Sequence, residues 1–256
     1  MKACSITETG QTRHMNQDYV FCEEKNVGAL PNLFIVADGM GGHNAGDYAS
    51  RFCVEAFVQR IKAEYGTDNL REIKADDSNS NERTPIGMLS DALQHTNNLL
   101  LEEAKYKDEL QGMGTTFVVA TIYGTVMYVA NVGDSRLYVI RDRMEQITSD
   151  HSLVEEMVKN GELDPKEVRN HPNKNIITRA LGANANVVPD YFEVELFAGD
   201  LVLMCSDGLT NMLDDEEIMR IIKESDYDLN HAVKALVKKA NDNGGKDNIS
   251  IIIIES

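Results

Sequence analysis

Leu33-Phe34-Ile35-Val36-Ala37-Asp38-Gly39-Met40-Gly41-Gly42, residues 33–42, is the stretch from which the fold is read. Five apolar residues in succession make a short strand buried on both faces, and the run stops abruptly at an aspartate and a turn. The pattern returns at Leu201-Val202-Leu203-Met204-Cys205-Ser206-Asp207-Gly208. An aspartate at the end of a buried strand is half desolvated, so a hydrogen-bond network or a cation must meet its charge.

Outward from these two strands, residues 2–6 and 19–24 are predicted strands, rich in Val, Ile, Phe and Tyr. Ala49, Phe52, Cys53, Ala56, Phe57 and Ile61 recur at steps of three and four and predict a helix, and Ile86, Leu89, Leu93 and Leu100 predict a second over 86–106. Between them, 66–83 is polar and predicted to be a connector. Residues 115–123, 125–132 and 136–140 read as an antiparallel meander, broken at Gly124 and at Gly133-Asp134-Ser135. From 149 to 181 the pattern changes to short capped helices, with a capping box at Ser152 and Glu155 and a helix start at Asp164-Pro165. Residues 191–196 and 201–205 are strands, Asp214 and Asp228 open two further helices, and 249–254 is a closing buried strand. Strands and helix pairs without regular alternation indicate an α+β layered fold.

The chain has 256 residues, with 42% hydrophobic and 26% charged residues, an ordinary globular composition. The net charge of −17 excludes broad binding to nucleic acid or an anionic membrane, which needs clustered Lys and Arg, and suits a cationic partner. The N-terminus lacks a secretory apolar run and no stretch is long enough to span a bilayer, so a soluble cytoplasmic protein is expected. The four scattered cysteines form no Cys-x-x-Cys pair and read as reduced.

Asp18, Asp134 and Asp247 join Asp38 and Asp207 as strand-adjacent aspartates. Singly, each reads as a turn or cap residue. Together, at the ends of the best-buried strands, they form an all-oxygen donor set if the sheets bring them together, and that selects Mg²⁺ or Mn²⁺ over Zn²⁺. Several carboxylates around one pocket repel unless ions sit between them, and paired ions serve in-line displacement at phosphorus. Rival phosphate chemistries fail: six residues after each cysteine stand Gly10, Gly28, Gln59 and Asn211 rather than arginine, and Gly244-Gly245-Lys246 continues with Asp247 rather than Ser or Thr.

Read in order, Arg13-His14-Met15-Asn16-Gln17-Asp18, residues 36–43, Gly114-Thr115-Thr116, Val132-Gly133-Asp134-Ser135-Arg136, Cys205-Ser206-Asp207-Gly208-Leu209 and Gly245-Lys246-Asp247-Asn248-Ile249 resemble the PP2C-type metal-dependent protein phosphatases, in their bacterial branch. The resemblance covers nearly the whole chain. It implies one domain over 1–256, a sandwich of two antiparallel sheets flanked by helix pairs, with 149–181 as a flap. It further implies that Asp38 bridges two metal ions, Gly39 offers its carbonyl to one, Asp207 and Asp247 bind the other, and Asp18 acts through bound water. Asp134 with Asp207 matches a third, weaker metal site, and Arg13 grips the phosphate. The implied reaction is attack on phosphorus by a water or hydroxide bridging the two ions, with no phosphoenzyme.

Two positions depart from the family pattern. Gln17 stands where many relatives carry Glu, which removes a charge near one ion. Met40 follows the Asp-Gly pair where eukaryotic members carry the His expected to protonate the leaving alkoxide, so the acid is open among His43, His151, His171 and a metal-bound water. The expected function is a cytoplasmic, monomeric phosphatase acting on phosphoserine and phosphothreonine in substrates of Ser/Thr kinases or in the kinase itself. The alternatives are a non-catalytic phosphoprotein-binding module and a small-molecule phosphoesterase.

Overall fold

The computed structural model describes residues 1–42, 45–65 and 84–256; the connector expected over 66–83 and the candidate acid His43 lie outside the described residues. The closing run of isoleucines shows how the layers arise. Side chains alternate along a strand, so an all-apolar strand must be covered on both faces. In β11 (Ile249–Glu255) Ile252 and Ile254 pack between the two sheets, whereas Ile251 and Ile253 face the helices.

One sheet takes β11 at its second position, in the order β1 (Lys2–Glu8), β11, β10 (Leu201–Cys205), β7 (Arg136–Ile140) and β8 (Met144–Gln146). The other runs β2 (Asp18–Glu23), β3 (Leu33–Met40), β5 (Phe117–Tyr123), β6 (Val126–Val132) and β9 (Asp190–Glu195), with β4 (Gly114–Thr115) paired to β3. All pairs are antiparallel. Phe34, Val36, Val118, Val129, Leu137, Val202 and Met204 join Ile252 and Ile254 in the layer between the sheets.

The outer face of the second sheet is covered by α1 (Ala45–Glu64) and α2 (Pro85–Tyr106), through Phe57, Ile61, Leu89 and Leu93. That of the first is covered by α5 (Asp215–Glu224) and α6 (Leu229–Asp242), through Ile218, Ile222, Leu236 and Val237. The fold is therefore α+β in four layers, helices, sheet, sheet, helices. Helix starts are fixed as the sequence predicts: Asp214 accepts from the Glu217 N–H at 2.8 Å and Asp228 from that of His231 at 2.9 Å. Among the described residues no helix is long and apolar enough to cross a membrane.

The expected meander is corrected. β5 and β6 form a hairpin, but β7 belongs to the opposite sheet, so the chain crosses the sandwich at Gly133-Asp134-Ser135. The predicted first strand of that meander is also split at Thr116, β4 pairing with the end of β3 and β5 with its middle. In the excursion only α3 (Leu153–Lys159) is α-helical; Pro165–Asn170 is a 3-10 turn. An isolated bridge from Ser152 to Ile177 ties the two ends of the excursion to each other, and one from Leu181 to Thr115 ties its far end to the body.

Candidate metal centre

The strand registers bring the aspartates to one end of the sandwich. Asp18 opens β2 directly opposite Asp38 on β3, so the two side chains leave the same face as cross-strand neighbours. On the other sheet, Cys205 pairs with Ile251 and with Arg136. Asp207, two residues past Cys205, therefore comes opposite Asp134, two residues before Arg136, and opposite Ile249, two residues past Asp247; a Cβ on the adjacent Gly208 would lie 3.5 Å from the Asp247 Cβ. Asp207 starts the short helix α4 (Asp207–Thr210).

Polar residues around the carboxylates hold their backbone and aim. Ser206 donates its hydroxyl to Asp18 Oδ2 at 2.8 Å and accepts from the Ser250 N–H at 3.0 Å, bridging the two sheets. The Asp38 N–H donates to Thr116 Oγ1 at 2.9 Å, and that hydroxyl lies 2.7 Å from Ser135 Oγ, beside the crossover turn. Asn248, 3% exposed, accepts from the Gln17 N–H at 2.8 Å and donates to the carbonyls of Thr9 and Met15, both at 2.9 Å. It thereby fixes the loop that carries Arg13 and Asp18. Gly39 is required: a Cβ there would lie 2.0 Å from the Gly46 carbonyl and 2.6 Å from that of Gln17.

Burial, then mutual repulsion, sets the proton affinity of the cluster. The Asp18 carboxyl is pushed up to about 7, first by desolvation and then by Asp207 and Asp247, against the pull of its serine hydrogen bonds. Asp38 is raised well above the ordinary carboxylate range by burial and by Asp18, Asp207, Asp134 and Asp247. Asp134 is raised similarly by burial, Asp207 and Asp150, and Asp207 is pushed up to about 6 by burial and Asp247.

These residues fit hard divalent cations. Asp18 Oδ1 and Asp134 Oδ1 are buried without a hydrogen-bond partner, and an orphaned carboxylate oxygen is costly unless a cation or proton meets it. The donors are all oxygen, which suits Mg²⁺ and Mn²⁺. As the side chains stand, no three acidic, histidine or cysteine groups among the described residues close into a cage around one point. They form an open bowl at electrostatic range. Arg13, half exposed, reaches into it and donates to Asp247 Oδ2 at 2.7 Å. The Gln17 amide nitrogen lies beside Gly46, next to the Gly39 carbonyl.

The histidines divide. His151 is unsuited as an acid at the bowl: it is 3% exposed, its Nδ1 accepts from the Gly133 N–H at 3.1 Å, and its Nε2 meets Asp190 Oδ2 at 3.1 Å. His171 ends the 3-10 turn, its Nδ1 accepting from the Asn173 N–H at 3.2 Å. Sequence reasoning gave no role to Ser206, Asn248 or Thr116. Each lies inside a quoted motif, but its polar partner comes from a remote part of the chain.

An α-β-β-α sandwich with an acidic bowl and one arginine at its rim defines a hydrolase of the metal-dependent phosphatase class. The chain belongs to the protein phosphatase 2C family, whose model matches residues 8–249. It is 38% identical over 255 residues to a serine/threonine phosphatase, stp, of Listeria innocua, covering 97% of this chain and 93% of that protein. A serine/threonine phosphatase structure from S. agalactiae superimposes with a TM-score of 0.82 at 35% identity, covering 98% of both chains. The catalytic domain of the serine/threonine protein phosphatase PstP in complex with two manganese ions superimposes with a TM-score of 0.80 at 28% identity, covering 99% of this chain and 97% of that one.

Proposed function

We propose that this chain hydrolyses phosphoserine and phosphothreonine monoesters in proteins, with divalent cations held in the acidic bowl, and so reverses bacterial Ser/Thr kinase signalling. The observation that carries the reading is the meeting of five aspartates from both sheets, two with orphaned buried oxygens, beside an arginine. In this reading Asp18, Asp38, Asp207 and Asp247, with the Gly39 carbonyl, hold a pair of ions, Mn²⁺ or Mg²⁺. Asp134 and Asp207 hold a third, weaker one. Bound there, such ions supply Lewis-acid charge at the phosphoryl group and acidify water for in-line attack.

The chain's own residues do the remaining work. The Arg13 guanidinium fork grips two phosphoryl oxygens, and its contact with Asp247 keeps it aimed across the bowl until substrate arrives. Ser206 keeps Asp18 turned inward, and Asn248 holds the Arg13 loop to the start of β11. A cavity of about 560 Å³ runs from Asp134 and Asp207 to Arg169 and Lys174 of the flap and to Asp214 and Asp215 at the start of α5. It accommodates the polypeptide flanking the phosphorylated residue, with charges of both signs to sort sequences. The proton for the leaving alkoxide comes from water in the bowl, with His43 and His171 the side-chain alternatives. Residues 1–256 act as one phosphatase domain with 149–181 as its flap, monomeric and in the cytoplasm.

The test is phosphate release from a phosphothreonine peptide with Mn²⁺, with EDTA, and by Asp38→Ala with Mn²⁺. Turnover is expected only in the wild-type protein with Mn²⁺. Equal turnover in EDTA would remove the metal from the reaction, and tight peptide binding without turnover in every arm would make the chain a recognition module.

A further inference from the structure

The crossover turn that carries Asp134 is gripped by buried His151, with Asn131 Nδ2 also donating to the Gly133 carbonyl at 3.3 Å. The His151 N–H donates to the Gly133 carbonyl at 3.0 Å, and the Gly133 N–H donates to His151 Nδ1 at 3.1 Å, so both backbone groups of Gly133 end on the same histidine. Gly133 has φ +111° and a Cβ there would lie 2.6 Å from the Thr116 side chain, so the turn has one available shape. With Nδ1 accepting, the ring proton is on Nε2, which donates to Asp190 Oδ2 on β9 at 3.1 Å; Arg179 Nη1 lies 3.2 Å from the same nitrogen with its own donation going to Asp190 Oδ1.

The same histidine sits where the flap begins, and it is bonded to the flap's other end. The Thr178 N–H donates to the His151 carbonyl at 2.8 Å, and Arg179 Nη1 donates to Asp190 Oδ1 at 2.9 Å. Its neighbour Asp150 pairs with Arg136, on the far side of the turn, at 2.7 Å. Asp134 is thus enclosed between two contacts made by consecutive flap residues.

We propose that His151 is a positioning residue: in its Nε2–H tautomer it locks the Gly133-Asp134 turn to both ends of the flap, and so aims the Asp134 carboxylate into the bowl. This rests on the reading of Asp134 as a cation ligand. Groups that orient a ligand in this way typically govern about ten- to a hundredfold of metal affinity.

Two substitutions separate the two ring contacts. His151→Asn places an acceptor where Nδ1 stands and gives up the bond to Asp190. His151→Gln places a donor where Nε2 stands and gives up the bond to Gly133. Mn²⁺ titration calorimetry, with thermal melts of each protein, is expected to show the weakest Mn²⁺ step lowered about tenfold in His151→Gln and held within about twofold in His151→Asn. Equal losses in both folded variants, or no loss in His151→Gln, would overturn the proposal. Asp134→Asn identifies the step: if it leaves every Mn²⁺ step unchanged, the ligand reading fails. The wild-type protein tests the lock independently of metal and of the variants' folding. In EDTA, nitrogen chemical shifts of the His151 ring should report the Nε2–H tautomer, and the Gly133 amide should be protected from hydrogen exchange. An unprotected Gly133 amide or the opposite tautomer would overturn it.

Discussion

Replacing Asp18 by asparagine should stabilise the metal-free protein at pH 8, although it removes a proposed ligand. Folding lifts this carboxyl from 3.8 to about 7. At 1.36 kcal/mol per pKa unit that is about 4 kcal/mol of stability. Because the folded-state pKa is raised, the contribution is whole below about pH 4, drains as pH rises through the interval, and is gone above about 7. Asparagine keeps an oxygen for the Ser206 hydroxyl and carries no charge, so it avoids the loss. For a chain of this size about 4 kcal/mol is worth about 8–16 °C in melting temperature. The assay is circular dichroism melting in EDTA at pH 8 and pH 5.5. The gain at pH 5.5 should be about half that at pH 8, since only about half of the interval lies below 5.5. Added Mn²⁺ should raise the melting temperature of the wild type more than that of the variant. A variant no more stable than wild type at pH 8, or equally stabilised at both pH values, would refute the claim that desolvation and repulsion at Asp18 oppose folding.

Arg13→Ala should raise KM for a phosphothreonine peptide about ten- to a hundredfold at saturating Mn²⁺, since charge-assisted hydrogen bonds are worth about 1.5–3 kcal/mol. Arg13→Lys should recover only part of this, and an unchanged KM would detach Arg13 from the phosphate. Asn248→Ala should cost about 2–4 kcal/mol in urea unfolding, because it leaves the Gln17 N–H and the carbonyls of Thr9 and Met15 without their partner. A loss under about 0.5 kcal/mol, the size of an ordinary surface substitution, would mean that the Arg13 loop is held elsewhere.

The layers were legible because burial on two faces leaves a local mark. The apolar runs of β3, β10 and β11 could only be inner strands, and the stripes on α1, α2 and α6 could only be covers. The caps at Asp214 and Asp228 were legible for the same reason: cap and target lie three residues apart. The crossover after β6 was not legible. Both β6 and β7 are apolar strands around a glycine turn, and nothing local distinguishes a hairpin from a step between sheets. β8 is three residues long and largely exposed, too short for its alternation to register. At the site, the aspartates were readable as a recurring strand-end pattern, whereas the bond from Ser206 to Asp18 spans 188 positions of chain. In the sequence His151 reads as a candidate acid in a polar segment. Its burial depends on Gly133 and Asp190, which only the folded sheets bring together.

The bowl takes its carboxylates from both sheets, and this ties its shape to the mutual alignment of two slabs that meet through side-chain packing and a few hydrogen bonds at the site's end, such as that from Ser206 to Asp18. Phe34, Val118, Met204 and Ile252 set that alignment from within the inter-sheet layer. A change of volume in this layer would slide one half of the site past the other. In this architecture the hydrocarbon filling is part of the catalytic instrument's calibration, so its sequence answers to reaction rate as well as to cohesion.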